Sequence, residues 1–347
     1  MSPNITHGAC GSIDLNFTHG FLPPVFVTVF VVGTLSNIWG LRSVCASWNN
    51  IGNINIFMLN LGLADLLYLF TLPFLVVYYA RNSHWQFGQP FCKVTRFCFN
   101  LNLYGSIGFL TCISVYRYLG IVHPMRVMGK ISSRHSLVVS ALVWLCVVAQ
   151  ILPDMFFDKN DPQSPTTTNS CFDTTSDELV RGYLPYSIGW TVTGFAVPLV
   201  IILVCYGHVV VVLARKANVN PLLKQRCLKL VVILVMLFSV CFIPYHVFRN
   251  VNLKNRISKL NGFCRAGFRD VYVAHQVGRC LACLNSALNP LIYIVGNDDF
   301  LVKLHGVRMR ARRSLAGLTG KVLYRKPTEA DADSPPETRV DSDLTEK

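Results

Sequence analysis

Apolar residues gather along the chain in seven runs, at 21–46, 53–80, 89–122, 136–157, 183–214, 224–251 and 270–295, with short polar segments between them. Crossing about 30 Å of hydrocarbon as a helix takes roughly 20 residues, and every run reaches that length. Backbone N–H and C=O groups have no water to bond inside a bilayer, so spanning runs of this kind are helices. The pattern predicts an all-α fold, a seven-transmembrane helix bundle over 21–305. A polar extracellular tail (1–20) precedes it and a cytoplasmic, disordered tail (306–347) follows. Within the bundle domain, 296–305 reads as a short amphipathic eighth helix lying along the inner membrane surface. No internal repeat and no second folded domain is visible.

Composition narrows the class further. Charged residues make up 14% of the chain and hydrophobic ones 52%, against about 25% charged in soluble domains. The first twenty residues hold no apolar stretch preceded by basic residues, so no cleavable signal peptide is expected and the first helix serves as its own insertion signal. Two glycosylation sequons, at Asn4 and Asn16, fall on that tail and favour an outside amino terminus.

Basic residues agree with that orientation, because inner loops are enriched in Lys and Arg. Arg126, Lys130, Arg134, Arg215, Lys216, Lys224, Arg226 and Lys229 then fall inside, with the tail cluster Arg308, Arg310, Arg312 and Arg313. One segment breaks the rule. On the outer side, from the end of the sixth run to the start of the seventh, stand Arg249, Lys254, Arg256, Lys259, Arg265 and Arg269 with no acid before Asp270. An anionic ligand explains such crowding; a solvated basic loop is the plainer alternative. Thirteen cysteines divide similarly: Cys10, Cys92, Cys171 and Cys264 fall on the outer face, which implies two disulfides in an oxidising compartment but leaves three pairings open. The other nine read as small buried hydrophobes.

The outer halves of the helices add to the cationic surplus. Arg96 lies one turn below Cys92, while His246 with Arg249 and Gln276 with Arg279 repeat an i, i+3 spacing that puts each pair on one helix face. The arginine fork suits phosphate and carboxylate. Three arginines and a histidine converging there would repel one another without a counter-anion. In the membrane interior, a carboxylate such as Asp65 is costly and marks function or a polar clasp between helices.

One residue per run carries a resemblance: Asn37, Asp65, Arg117, Trp144, Pro198 with Tyr206, Pro244, and Asn289-Pro290-Leu291-Ile292-Tyr293. Together they resemble the rhodopsin-like (class A) G-protein-coupled receptors over nearly the whole membrane domain. The resemblance implies a sodium ion near Asp65, Asn37 and Asn289, and a G-protein contact at Arg117. It also implies an activation role for Tyr206, Phe242, Pro244, Asn289, Pro290 and Tyr293, and a Cys92–Cys171 bond, which leaves Cys10 for Cys264. Pro244 gives helix six a bend about which it can move. Two departures, Tyr116 where the class usually has an acid and Phe242 where many members have Trp, bear on how tightly the resting state is held.

The ligand needs its own argument, because one fold serves many functions. Cys283 stands where opsins carry their Schiff-base lysine, and Phe99 where amine receptors carry an acid, so photoreception and cationic amines are excluded. His246-x-x-Arg249, Gln276-x-x-Arg279, the run from Cys171 to Glu178 and Asn102-Leu103-Tyr104-Gly105-Ser106 are similar to the metabotropic purinoceptors, most of all the ADP-responsive members. That likeness implies Arg96, Arg249 and Arg279 on phosphates, with His246 and Gln276 as hydrogen-bonding neighbours. Tyr104 belongs to the same set, Tyr272 sits near base or ribose, Asn252 is a polar contact and Asp173 shapes the lid. His275 departs from the tyrosine of the likeness. The partners implied are a nucleotide, a Gq-type G protein with phospholipase C and calcium release, arrestin after phosphorylation of the tail, and the bilayer; no nucleic acid is expected.

A receptor for a small dicarboxylate such as succinate is the near rival. A transporter or channel is the rival of another class, opposed by the absence of an inverted repeat or broken helix pair. No nucleophile–base pair or metal cluster points to an enzyme. No cysteine follows Cys283, so palmitoylation behind helix seven is not expected, while seven Ser/Thr from Ser314 to Thr345 offer phosphorylation sites.

Overall fold

The structure, a computed structural model, describes residues 16–45, 53–127, 132–158, 170–171, 173–215, 221–263 and 267–290, side chains at 16, 126–127, 221–223 and 226 excepted. They form α1 (Asn16–Cys45), α2 (Asn53–Leu69), α3 (Leu72–Ala80), α4 (Gly88–Val122), α5 (Pro124–Val127), α6 (Ser133–Ile151), α7 (Val180–Thr191), α8 (Val197–Arg215), α9 (Pro221–Leu237), α10 (Ile243–Leu260) and α11 (Phe268–Leu288). Grouped by continuity, and leaving aside the short α5 between the third and fourth, these are the seven predicted spans.

Three spans carry an internal irregularity. Pro73, at the start of α3, cannot donate to the ladder, and a turn at Phe70–Thr71, where the Thr71 hydroxyl donates to the Tyr68 carbonyl at 2.7 Å, separates α2 from α3. One π-helical turn, Val192–Ala196, links α7 to α8, and a second, Phe238–Phe242, links α9 to α10 just before Pro244. Single π turns recur at functional positions in helices.

Among the described residues, six of the spans are long and apolar enough to cross a bilayer by length and composition: Phe17–Cys45, Asn53–Ala80, Gly88–Val122, Ser133–Phe156, Val180–Arg215 and Cys227–Leu260. Alongside them α11 packs on α1 and α10, though it carries Arg269, Asp270, His275, Gln276 and Arg279. Large apolar side chains such as Leu35, Leu145, Val200, Val204 and Val232 are exposed, in a quantity that water-soluble surfaces avoid and a lipid-facing belt requires. The polar residues Asn37, Asp65, Asn102, Ser106, Asn285, Ser286 and Asn289 are instead buried.

At the centre is α4, which touches α2, α6 and α8. A close helix approach involves Gly278, where a Cβ would come 3.0 Å from the Tyr245 backbone nitrogen and 3.1 Å from the Pro244 carbonyl carbon. Glycine at this point lets α11 lie against the α10 backbone beside its proline.

Helix six departs most from the sequence reading. The sixth run was expected to stop at 251, yet α10 continues to Leu260, so Lys254, Arg256 and Lys259 stand on helix rather than loop. Leu253 and Ile257 explain the extension, since both pack with Val180 and Tyr183 of α7 and supply an apolar side to a polar helix end. Helix one likewise begins at Asn16, five residues before the expected edge, inside the sequon expected to lie in a tail. The proposed eighth helix, Asn4, Cys10, Cys264, Tyr293 and the phosphorylation sites lie outside the described residues.

Candidate functional site

A cavity of 270 Å³ opens at the end of the bundle that the sequence places outside, referred to below as the outer end; it lies at the lower edge of the ~300–1,000 Å³ usual for small-molecule sites. Its wall combines Tyr78, Tyr79, Phe268, Tyr272 and His275 with Asn252, Gln276, Arg256 and Lys259. Cys171, Asp173, Thr174 and Asp177 of the second outer loop close the remaining side. That loop is anchored to α4 by the Cys92–Cys171 disulfide, whose Cα atoms are 5.8 Å apart. The Cys171 N–H also donates to the Tyr78 hydroxyl at 3.3 Å.

The loop then threads Asp173 between two buried guanidiniums. Arg279 of α11 donates to its carboxylate, and Arg96 of α4 lies 3.2 Å away. Each arginine keeps a second acceptor: Arg96 donates to the Cys171 carbonyl and Arg279 to the Tyr79 hydroxyl, both at 2.7 Å. Gln276 donates to the other oxygen of Asp173 at 3.4 Å. Burial works to raise the Asp173 carboxyl, but Arg279 and then Arg96 outweigh it and hold the group well below the usual carboxylate range. The expected mutual repulsion of unpaired arginines is therefore corrected for Arg96 and Arg279: the chain supplies their counter-anion, Asp173.

Arg249 sits about one turn inward of Asn252 on α10 and has different surroundings. It donates to the hydroxyls of Tyr183 (2.8 Å) and Tyr104 (3.3 Å) and lies against the rings of Trp190, Tyr183 and Tyr245 at 5.1–5.8 Å. His246 lies deeper, stacked on Phe195 at 4.4 Å, with neither ring nitrogen hydrogen-bonded.

Of the nine expected ligand residues, Asp173, Asn252, Tyr272 and Gln276 line the cavity. Arg96, Arg249, Arg279, Tyr104 and His246 stand outside its wall; Arg96 and Arg279 are joined to it through Asp173, and Arg249 bonds Tyr104. Arg256 and Lys259 were recognised only as surplus charge. Extending helix six would have placed Arg256 seven residues beyond Arg249, on the same face. Arg256 also ties the lid, donating to Asp177 at 2.9 Å, to the Thr174 hydroxyl at 3.0 Å and to the Thr175 carbonyl at 2.9 Å. A further omission is Asp154, a buried acid at the outer end of the fourth span. Like Asp65, it is a carboxylate inside a membrane helix, and the same cost marks it out.

Comparison with known proteins decides the family. A model described as "7 transmembrane receptor (rhodopsin family)" matches residues 37–293. Purinoceptor 1 of Homo sapiens is 41% identical over 317 residues, covering 90% of this chain and 84% of that protein. Purinoceptor 1 of Gallus gallus is 39% identical over 316 residues (90% and 86%), and purinoceptor 4 of Xenopus laevis 35% over 319 (90% and 57%). The chain belongs to the rhodopsin family of seven-transmembrane receptors, among its purinoceptors.

As a member of the rhodopsin family it is a receptor and a multi-pass membrane protein, not an enzyme. The residues that signalled the family occupy two further clusters. In the membrane core, Asp65 accepts from Asn102 at 2.7 Å and from Asn289 at 2.9 and 3.0 Å, and Ser286 donates to Asn102 at 3.0 Å. Asn37 joins through the Ser286 carbonyl, at 2.7 Å, rather than through Asp65. Sequence reasoning passed over Asn102 and Ser286 in this clasp. Hard cations take oxygen ligands, and the buried carbonyl oxygens of Asn37, Asn285 and Asn289 have no hydrogen-bond partner. These oxygens are of the type such a cation takes.

At the inner end, Asn53 of α2 donates to the Tyr116 hydroxyl at 3.0 Å, so the residue replacing the family acid is tied to the second span and not to Arg117 by this bond. Tyr206 is buried, and Phe242 packs on Phe238 at 5.1 Å two residues before Pro244 of α10.

Proposed function

We propose that this chain is a G-protein-coupled receptor for extracellular nucleotides, ADP and ATP foremost, with its amino terminus outside the plasma membrane. The observation carrying the reading is the composition of the outer cavity in a member of the purinoceptor family. Arg256 and Lys259 stand in its wall, and Arg96 and Arg279 both pair with a single carboxylate of that wall, Asp173. Phosphates suit these forks bidentately. Five aromatic or imidazole rings in the same wall offer stacking faces to a flat base. A small dicarboxylate would use the cations and leave those rings without a partner.

Binding proceeds in this reading by phosphates competing with Asp173 for Arg279 and Arg96, which draws the outer ends of α4, α10 and α11 together. The bend at Pro244 then converts that closure into an outward movement of the inner end of helix six, exposing Arg117 to the G protein. Coupling to Gq, phospholipase C and calcium release, arrestin capture, glycosylation at Asn4 and Asn16, a Cys10–Cys264 bond and a sodium ion at Asp65 belong to the same proposal. Calcium flux in cells expressing the chain tests it with a panel of adenine and uridine nucleotides and succinate. A dose-dependent nucleotide response is expected; silence to every nucleotide with the receptor on the surface, or a response to succinate alone, overturns it.

A further inference from the structure

Asp154 stands outside both the cavity wall and the Asp65 clasp. It ends the fourth span in the 3₁₀ turn Leu152–Phe156, is buried, and faces α4 and α7. Asn100 donates to one of its carboxylate oxygens at 3.3 Å and Tyr183 to the other at 2.8 Å. With its proton committed to Asp154, the Tyr183 hydroxyl turns its oxygen lone pairs toward Arg249, whose guanidinium donates to it at 2.8 Å. Asp154, Tyr183 and Arg249 form a chain of two hydrogen bonds running from helix four through α7 to helix six.

We propose that Asp154 positions Arg249 through Tyr183 and, by screening its buried charge, limits how strongly the receptor takes up polyanions. Arg96 and Arg279 are neutralised by a carboxylate in direct contact, which an incoming anion must displace. Arg249 rests on phenol oxygens and aromatic faces, with its counter-charge one side chain further away. An anion reaching Arg249 replaces neutral acceptors only, while Asp154 stays in place and repels it. Asp154 is two hydrogen bonds from Arg249, and a low-dielectric interior screens charges at such separations little. It grows with ligand charge, so a triphosphate is opposed more than a monophosphate.

This inference rests on the proposed function only in requiring that Arg249 meets an anion, and its test does not need a nucleotide. Purified full-length receptor is titrated with inorganic phosphate, pyrophosphate and triphosphate, and apparent affinity is read from the shift in melting temperature. Asp154→Asn should bind triphosphate about tenfold more tightly than wild type, equivalent to ~1.4 kcal/mol, and phosphate little more tightly. Tyr183→Phe breaks the same relay and should move the preference in the same direction, which covers a failure of the first variant to fold. In an Arg249→Gln background both gains should vanish. Equal or weaker triphosphate binding in the folded variants overturns the proposal. So does the same factor for all three anions, or a gain that survives without Arg249. A purely structural role for Asp154 would lower melting temperature without changing the ranking of the anions, and that result overturns it too. Failure of the nucleotide reading would show separately, as calcium silence in cells.

Discussion

Replacing Asp173 by Asn keeps the shape of the lid and removes its charge. The carboxylate is 15% exposed and the Arg96 and Arg279 side chains 3% and 2%. Removing one partner of a buried pair costs about 3–5 kcal/mol, because a charge is left buried without compensation. Here both guanidiniums retain a neutral acceptor, Cys171 O and Tyr79 Oη, which places the expected loss near ~3 kcal/mol. At about 2 °C per kcal/mol for a chain of this size, the melting temperature should fall by ~6 °C. Unfolding in detergent can be followed with a thiol-reactive fluorophore, since Cys205, Cys241, Cys280 and Cys283 are buried until the bundle opens. Asp177→Asn is the control. Its carboxylate also meets an arginine, Arg256, but is 58% exposed. Exposed pairs contribute at most about 1 kcal/mol. If Asp173→Asn melted with wild type, or if the two variants lost the same amount, the assignment of Asp173 as internal counter-anion would be refuted.

Arg279→Ala should raise the nucleotide concentration for half-maximal calcium response by about 10- to 150-fold, the equivalent of ~1.5–3 kcal/mol for a lost charge-assisted contact; surface labelling should be unchanged. Acid sensitivity follows from the depressed carboxyl of Asp173. Its contribution is fully present above the ordinary carboxylate value of about 4 and is lost as pH falls through the lower folded value. Melting temperature should therefore not respond to this group between pH 8 and about 5, and any acid-side fall assigned to it should vanish in Asp173→Asn. Gly278→Ala places a Cβ 3.0 Å from the Tyr245 nitrogen, where backbone cannot rotate aside; about 1–3 kcal/mol of overpacking strain is expected. A wild-type melting temperature would show that α10 and α11 separate there without cost.

Sequence by itself determined the fold class and the family. Seven apolar runs of spanning length leave helices as the only solution in lipid, and the one-per-helix residues from Asn37 to Asn289 mark the receptor family. It also found the surplus of outer cations, because charge and topology are both linear properties of the chain. The division of labour among those cations was decided by tertiary structure alone. Nothing in the order of residues shows that Asp173, from a loop, inserts between Arg96 and Arg279. Nor does it show that Arg249 is answered by phenols and, at one remove, by Asp154. Helix six was read too short because its outer end is polar in sequence and gains an apolar side only where Leu253 and Ile257 meet α7. That extension carries Arg256 and Lys259 to the cavity wall. Apolar periodicity is a local property and legible residue by residue; the pairing of buried charges depends on which helix ends meet in space, and packing settles that.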